Sequence, residues 1–332
     1  MNPAWRVVAG RAELPATAPG ADVIILAMDR AEETVAAIRS ALAQTGLSRR
    51  VIVADQGSTP ENLARLASEI EGRDDAVLVS LDRNWGVAGG RNRATSLGNG
   101  RVVVALDNDA EFADERTLAR AVAAIDADPA LAAIGFRIVV FATGEEDLSS
   151  WGYPASLLPR ARASFDAVTF VGAGHAIRRA AWDDAGGYDD VLFFCWEEYD
   201  FCLRAIARGW RIRYRGDIAV RHKVSGQHRF AWSGTRWFYF VRNRLYIGRK
   251  MGASWAALAP RYLGYLLKGL RNGVAGQTLR ALPAAIGLSR GVVPIAMPDT
   301  ARDYIAANDA AHRGSTLRRV RTEVLAALPG KR

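Results

Sequence analysis

Residues 102–109 read VVVALDND, an apolar run that ends in two acidic residues. The run from Val102 to Leu106 predicts a buried strand, with Asp107 and Asp109 at its carboxyl end. Ligands of open α/β sheets bind just beyond the carboxyl ends of the strands. Two neighbouring carboxylates repel each other unless something neutralises them, and a divalent cation shared with substrate phosphates would do so. An ordinary turn is the alternative, because Asp and Asn are common turn residues.

The segments before this stretch alternate between apolar strands and amphipathic helices. We predict strands at residues 22–27, 51–55 and 76–80, and helices at residues 31–45 and from Pro60 onward. This alternation predicts a doubly wound, Rossmann-like α/β fold with a mostly parallel sheet flanked by helices. Beyond Leu131 the alternation fades, leaving a strand at 134–140, an irregular stretch at 144–163 and short strands at 211–214 and 218–220.

Charge is distributed unevenly along the 332 residues. Residues 1–200 hold 19 Lys and Arg against 30 Asp and Glu, a net charge of −11, whereas residues 201–332 hold 25 against 5, a net charge of +20. A basic C-terminal part predicts an anionic partner. The two cysteines, Cys195 and Cys202, form no disulfide framework, which suits a reducing compartment. We expect neither a signal peptide nor a transmembrane helix, because the sequence lacks a suitable apolar run for either.

A glycine-rich loop enters a helix after the third predicted strand. It runs from Asn84 to Asn92 and places Gly86 and two further glycines ahead of Arg91. The loop is not a dinucleotide-binding fingerprint, because that motif directly follows the first strand and has another glycine spacing. Glycines let a phosphate approach the backbone closely, and an arginine would bind it. A tight turn without a ligand is the alternative.

A second acidic cluster, Trp196-Glu197-Glu198-Tyr199-Asp200, precedes a helix predicted at 201–208. Acidic residues are common in first helical turns for dipole reasons, which explains one or two of them. Aromatic surroundings raise the pKa of a carboxyl group and prepare it for base chemistry. His222 follows the last predicted strand and is a candidate third metal ligand, because imidazole binds several divalent metals.

The order of these motifs resembles the family 2 glycosyltransferases of the GT-A fold over about residues 20–250. The matching parts are Asp55 before a Gly-Ser pair, the glycine-rich loop with Arg91, Asp107-Asn108-Asp109, Gly186-Gly187-Tyr188, the second acidic cluster, His222 and Arg242-Asn243. Within the family, the second acidic cluster with a downstream histidine is most similar to bacterial rhamnosyl- and galactofuranosyltransferases.

The resemblance implies inverting transfer of a hexosyl group from a nucleotide-diphosphate donor to a hydroxyl of a glycan or lipid-linked acceptor, in cell-surface polysaccharide synthesis. It assigns donor binding to Asp55, Asn84, Gly86, Arg91 and Asp107. It assigns binding of Mg²⁺ or Mn²⁺ to Asp107, Asp109 and His222. Glu198 matches the catalytic base, although the family usually has Asp there, and acceptor or active-site support falls to Trp196, Glu197 and Asp200.

We therefore expect an N-terminal extension (1–20), a GT-A catalytic domain (21–250) and a basic helical C-terminal region (251–332). The catalytic domain would divide into a nucleotide-binding half at about 21–130 and an acceptor half at about 131–250. One alternative is a nucleotidylyltransferase-like enzyme, which usually has a Lys-containing glycine loop after the first strand. The other is a non-enzymatic nucleic-acid-binding module. The sequence has neither that loop nor a zinc or basic-region pattern.

The C-terminal part mixes aromatic, aliphatic and basic residues, as an interfacial membrane helix does. The mixed residues are Trp232, Trp237, Phe238, Tyr239, Phe240 and Tyr246 with Arg229, Arg236, Arg242, Arg244, Arg249 and Lys250, followed by an apolar-rich stretch at 255–271. We expect a cytoplasmic protein, bound peripherally to an anionic inner membrane face. The alternative is that these residues pack on the catalytic domain or form a homo-oligomer contact.

Overall fold

The computed structural model describes residues 5–223, 234–315, 324 and 328. The strands are β1 (Trp5–Gly10), β2 (Ala21–Ala27), β3 (Arg49–Asp55), β4 (Ala76–Leu81), β5 (Val102–Leu106), β6 (Ala110–Phe112), β7 (Leu131–Val140), β8 (Ser164–Ala167), β9 (Gly174–Arg178) and β10 (Arg211–His222). The α-helices are α1 (Ala31–Leu42), α2 (Pro60–Ile70), α3 (Gly86–Thr95), α4 (Thr117–Asp126), α5 (Arg179–Ala185), α6 (Glu197–Ala207), α7 (Gly234–Lys250), α8 (Trp255–Arg271), α9 (Ala275–Leu288) and α10 (Asp299–Asn308).

Within these residues the strands form one mixed sheet in the order β1-β4-β3-β2-β5-β9-β7-β10-β6, with β8 paired to β10. Strands β2 to β5 are mutually parallel, as the alternating pattern predicted. Their side chains are buried on both faces of the sheet, by α1, α2 and α4 on one face and by α3, α5 and α6 on the other. Burial on both faces explains why these strands are mostly apolar in sequence.

The second half of the sheet differs from the prediction. The predicted short strands at 211–214 and 218–220 are one strand, β10, whose pairing with β7 is irregular between Arg215 and Ala219. The polar residues at this irregularity resemble a turn in sequence. Strand β1 pairs antiparallel with β4, and β9 lies antiparallel between β5 and β7; neither was predicted. The predicted helix at 201–208 starts earlier, at Glu197.

Helices α7, α8 and α9 pack against one another through an apolar cluster that includes Trp237, Leu258 and Ala281. Helix α7 also contacts the sheet-containing part, where Tyr246 joins the core beside α6. Trp237, Tyr246 and Lys250 are buried, so these three residues pack inside the protein, as the alternative to the membrane prediction expected. Trp232 and Arg229 lie outside the described residues. No helix of the described residues combines the length and the apolar character needed to cross a membrane.

Candidate functional site

The carboxyl ends of the parallel strands meet at one edge of the sheet. Asp55 ends β3 there and is buried, and its carboxylate accepts backbone N–H groups of Gly57 and Ser58, each at 3.2 Å. Asp107 and Asp109 follow β5 at the same edge. The first carboxylate therefore shapes the turn after its strand, while the other two lie where a ligand of such a sheet binds.

Arg91 on α3 joins this edge to α6. Its side chain is 4% exposed, and its guanidinium lies 2.8 Å from Asp107 Oδ1, 2.8 Å from the Gly172 carbonyl and 3.0 Å from Glu198 Oε1. Burial alone would lower the pKa of Arg91, but the carboxylates of Asp107 and Glu198 raise it above its ordinary value. Arg91 is thus a permanent buried cation between two acids that are far apart in sequence.

The two glutamates at the start of α6 have different surroundings. Glu197 is buried, and its Oε2 has no hydrogen-bond partner among the described residues. Burial, together with the nearby Glu198, raises the pKa of Glu197 well above its ordinary value. Burial also raises the pKa of Glu198, but Arg91 opposes this shift by stabilising the carboxylate. Glu197 is therefore an enclosed group whose protonated form is favoured by burial, whereas Glu198 is paired to a cation.

Gly172 leaves the space that the Glu198 side chain occupies. A Cβ added at Gly172 would lie 2.5 Å from Glu198 Oε1, closer than any real contact. The sequence analysis did not select Gly172, because nothing in its local pattern distinguishes it from an ordinary turn glycine.

The turn before α6 is strained, and α7 supports it. Phe193, Cys195 and Trp196 have φ values of 60°, 72° and 73°, which cost energy for residues other than glycine. The buried Asn243 on α7 places its Nδ2 2.8–2.9 Å from three carbonyl oxygens of residues 192–195. These contacts stabilise the turn that directs the start of α6 towards Arg91.

Asp200 lies in the protein interior, away from Arg91. Its carboxylate pairs with Arg204 at 2.8 Å and with Lys250 of α7 at 2.9 Å. Lys250 also lies 2.8 Å from Asp189, in the loop before α6. Trp196 donates its indole N–H to the Phe240 carbonyl at 3.1 Å. Asp200 and Trp196 therefore connect α6 to α7.

Asp109 and His222 are brought together by the pairing of β6 with β10. His222 lies opposite Ala110 in this pairing, so its Nε2 lies 3.3 Å from Asp109 Oδ1. The other oxygen of Asp109 accepts a hydrogen bond from Arg30 at 3.0 Å.

Asp147 fixes the orientation of the His222 ring. Its Oδ2 lies 2.8 Å from His222 Nδ1, and its side chain is 4% exposed. Ser150 Oγ and the backbone N–H of Ser149 also donate to Asp147, at 2.6 and 3.0 Å. Burial lowers the pKa of His222, but Asp109 and Asp147 raise it to about 10. The sequence analysis missed Asp147 because it lies in the irregular stretch at 144–163.

The donor set of Asp109 and His222 suits a divalent metal shared with a substrate. Metal-bound histidines usually donate their other N–H to a carboxylate, as His222 can to Asp147. In the described parts of the chain, no three His, Cys, Asp or Glu residues are grouped as a ready-made metal site. Mg²⁺ commonly takes one or two protein ligands and completes its shell with phosphates and water. Asp107 is 40% exposed but is paired with Arg91.

The glycine-rich loop packs against the strained turn before α6. Gly86 has a φ of 72°, and a Cβ there would lie 2.1 Å from the Phe193 carbonyl oxygen. Asn84 accepts the Gly86 N–H through its side-chain oxygen at 2.8 Å. Gly86 is therefore needed for the close approach of the protein's own backbone.

Comparison with known proteins identifies the family. Residues 22–186 match the family described as "Glycosyl transferase family 2". The chain is 31% identical over 234 residues to the succinoglycan biosynthesis protein ExoU of Rhizobium meliloti (strain 1021), an alignment that covers 65% of this chain and 67% of that protein. The chain belongs to glycosyl transferase family 2. A second relative, the succinoglycan biosynthesis protein ExoO of the same strain, is 34% identical over 126 residues, which are 38% of this chain and only 35% of that protein.

Solved structures share the GT-A-like fold of this family 2 member. The mannosyltransferase PcManGT from Pyrobaculum calidifontis, in complex with GDP-Man and Mn²⁺, gives a TM-score of 0.56 at 20% identity, covering 97% of this chain and 87% of that one. GalNAc-T7, with UDP, GalNAc and Mn²⁺, gives 0.59 at 15% identity, covering 94% of this chain and 57% of that one. TarS from S. aureus gives a TM-score of 0.56 at 17% identity, covering 90% of this chain and 89% of that one.

Some of the predicted site residues of this family 2 glycosyltransferase contact one another, and they form two separate groups. Arg91 connects Asp107 and Glu198, and Asp109 faces His222. The remaining predicted residues lie around these groups in turns or in the interior: Asp55, Asn84, Gly86, Trp196, Glu197 and Asp200. Family membership favours glycosyl transfer over the nucleotidylyltransferase and nucleic-acid-binding alternatives.

Proposed function

We propose that this protein is an inverting, divalent-metal-dependent glycosyltransferase. It would move a hexosyl group from a nucleotide-diphosphate donor to a hydroxyl of a glycan or lipid-linked acceptor. The observation that carries the proposal is the contact of Arg91 with both Glu198 and Asp107, because it brings the Glu198 carboxylate beside the acidic strand end. The names of the two succinoglycan relatives support a role in cell-surface polysaccharide synthesis.

Glu198 is the proposed base. An acceptor hydroxyl is a weak nucleophile, so a carboxylate must take its proton as the new bond forms. Arg91 opposes the rise in the pKa of Glu198 that burial causes, and the buried Glu197 lies on the same turn of α6. Asp200 and Trp196 hold this turn through α7.

Asp109 and His222 are the proposed metal ligands, with Asp107 adjacent. A bound Mg²⁺ or Mn²⁺ would offset the negative charge of the departing diphosphate. His222 must lose a proton to bind a metal, which its contact with Asp147 permits while preserving the ring orientation. Two of the structural neighbours are complexes that contain Mn²⁺, which supports this assignment.

The donor would lie along the edge formed by Asp55, Asn84, Gly86, Arg91 and Asp107. We assign the nucleotide-binding half to residues 21–130 and the acceptor half to 131–250, with the C-terminal region at 251–332. The second acidic cluster and His222 favour a rhamnosyl- or galactofuranosyl-type transferase within the family.

The test is a thermal-shift screen of nucleotide sugars with Mn²⁺ or Mg²⁺, followed by transfer assays with the stabilising donor. A true donor raises the melting temperature by mass action. Asp109→Asn should weaken metal binding and nearly abolish transfer, whereas Asp217→Asn, which removes an exposed ion pair with Arg215, should not. Full transfer in excess EDTA would exclude the metal, and no stabilisation by any nucleotide sugar would contradict the donor class.

A further inference from the structure

Helices α8 and α9 present an apolar outer surface. On α8, Leu263, Leu267 and Leu270 are 61%, 45% and 62% exposed and lie on one side of the helix, because they are spaced by four and three residues. On α9, Leu279 and Ile286 are 57% and 37% exposed. We call these five residues the α8–α9 face.

The two helices are apolar on their inner sides as well. Leu258, Ala281 and Ala285 are buried in the cluster shared with α7. The surface helix α2 shows the usual pattern instead, because its exposed residues include Glu61, Arg65 and Ser68. Soluble proteins rarely expose a contiguous apolar surface without a partner.

The surroundings of this face are exclusively basic in sequence. Residues 218–298 contain 13 Lys and Arg and no Asp or Glu. Three arginines are exposed here: Arg271 at the end of α8, Arg280 within α9 and Arg290 just after α9. In the parts of the chain that the structure describes, no carboxylate pairs with any of these three arginines.

Charge decides which occupant fits the face. A second copy related by two-fold symmetry would bring the same patch, and therefore the same arginines, against each other. An anionic bilayer supplies hydrocarbon for the leucines and phosphates for the arginines at adjacent depths. The apolar residues are exposed, and among the described residues no carboxylate pairs with Arg271, Arg280 or Arg290, which is the arrangement of an interfacial helix pair.

We propose that the α8–α9 face binds the headgroup region of an anionic membrane. Leu263, Leu267, Leu270, Leu279 and Ile286 enter the interface, and the surrounding arginines contact lipid phosphates. The sequence pattern pointed also to the aromatic residues of α7, but Trp237 and Tyr246 are buried and do not reach lipid. The proposal does not depend on the donor or the catalytic mechanism.

The test is co-sedimentation of the full chain with vesicles of phosphatidylcholine alone or mixed with phosphatidylglycerol, at low and high salt. The wild type should bind the anionic vesicles at low salt and lose affinity at high salt. Leu267→Glu and Leu270→Glu should each lower the partition coefficient about tenfold or more. Arg271→Gln and Arg280→Gln should each lower it about fivefold. Leu14→Glu is the matched control, because Leu14 is 52% exposed in the N-terminal segment, outside the face.

Equal recovery in the supernatant with all vesicles would overturn the proposal. If Leu14→Glu lost as much binding as Leu267→Glu, the proposal would also be overturned. The loss would then come from the added negative charge anywhere on the protein and not from the α8–α9 face. Light scattering without lipid provides a second readout. A wild-type dimer that Leu267→Glu converts to a monomer would assign the face to self-association instead. All five sites are exposed, so unchanged melting temperatures are expected for the variants.

Discussion

Arg91 donates a hydrogen bond to Glu198 over 3.0 Å. This bond connects α3, from the first half of the chain, with α6, from the second half. This contact favours the ionised form of Glu198. Burial among the residues around α6 raises the pKa of Glu198, and the guanidinium of Arg91 opposes that rise. Glu197, one residue earlier, has no hydrogen bond to Oε2 among the described residues, and burial raises its pKa well above the ordinary value.

Replacing Glu198 tests the proposed base. Glu198→Gln keeps the size of the side chain but cannot accept a proton, so turnover should fall about 10²–10⁴-fold while donor affinity changes little. Glu197→Gln is the matched control and should have a smaller effect, because burial raises the pKa of Glu197 and so favours its uncharged form, which an amide resembles. Transfer kinetics and donor titrations measure both. A severe effect of Glu197→Gln with a mild effect of Glu198→Gln would reverse the assignment.

Gly172 should be required for the position of Glu198. In Gly172→Ala the new methyl group would lie 2.5 Å from Glu198 Oε1, so the carboxylate must move. Misplacement of a reacting group by about 1 Å can cost about 10²-fold in rate, and we expect a loss of turnover of that order. Gly276→Ala on α9 is the control, because no atom lies within 4 Å of a Cβ there. Wild-type turnover in Gly172→Ala would show that Glu198 has room to shift without loss.

Asp147 should control the metal affinity of His222. Asp147→Asn removes the charge that orients the imidazole, and the affinity for Mn²⁺ should fall about 10–100-fold. Titration of Mn²⁺ followed by electron paramagnetic resonance measures this without turnover. Asp217→Asn serves as the control, because Asp217 pairs only with a neighbouring surface arginine among the described residues. Equal Mn²⁺ affinity in Asp147→Asn and the wild type would remove Asp147 from the metal site.

Lys250 should stabilise the attachment of α7 to α6. Lys250→Met leaves Asp189 and Asp200 without their shared cation, and we expect a loss of about 3–5 kcal/mol in the free energy of unfolding. Arg290→Met is the control, because Arg290 is exposed. Urea unfolding measures both variants, and equal stabilities would contradict the prediction.

The contact between Lys250 and Asp189 predicts that the protein loses stability in acid. Burial raises the pKa of Asp189, but the contacts of its carboxylate, above all with Lys250, lower the pKa by more. The net pKa is therefore below its ordinary value of 3.8. A carboxylate with a lowered pKa contributes stability that is present above its unfolded pKa and is lost as the pH falls through the folded one. The wild type should therefore lose free energy of unfolding below about pH 4. Lys250→Met should lose less over the same range, and parallel curves would exclude this contribution.

The local pattern of apolar residues in the sequence was enough to predict the parallel strands β2 to β5. Strands β2 to β5 are mostly apolar, and each apolar run carries its own signal because both of its faces are buried. Strand β3 ends at Asp55, and Asp107 directly follows β5. The candidate acids at the strand ends could be selected for the same reason, since their position follows from where each strand stops. Strand β10 was divided wrongly because its polar middle resembles a turn.

Tertiary structure alone decided which of these residues touch. Arg91 and Glu198 are 107 positions apart, and Asp147 and His222 are 75 apart, so no local pattern relates them. The antiparallel strand β9 and the β6–β10 pairing bring the second half of the chain against the first. Composition showed that the C-terminal part is apolar and basic, but only the packing of the helices decided that Trp237 is buried while Leu267 is exposed. A side chain's partner depends on the whole chain's path, whereas its preference for strand or helix depends mainly on its neighbours in sequence.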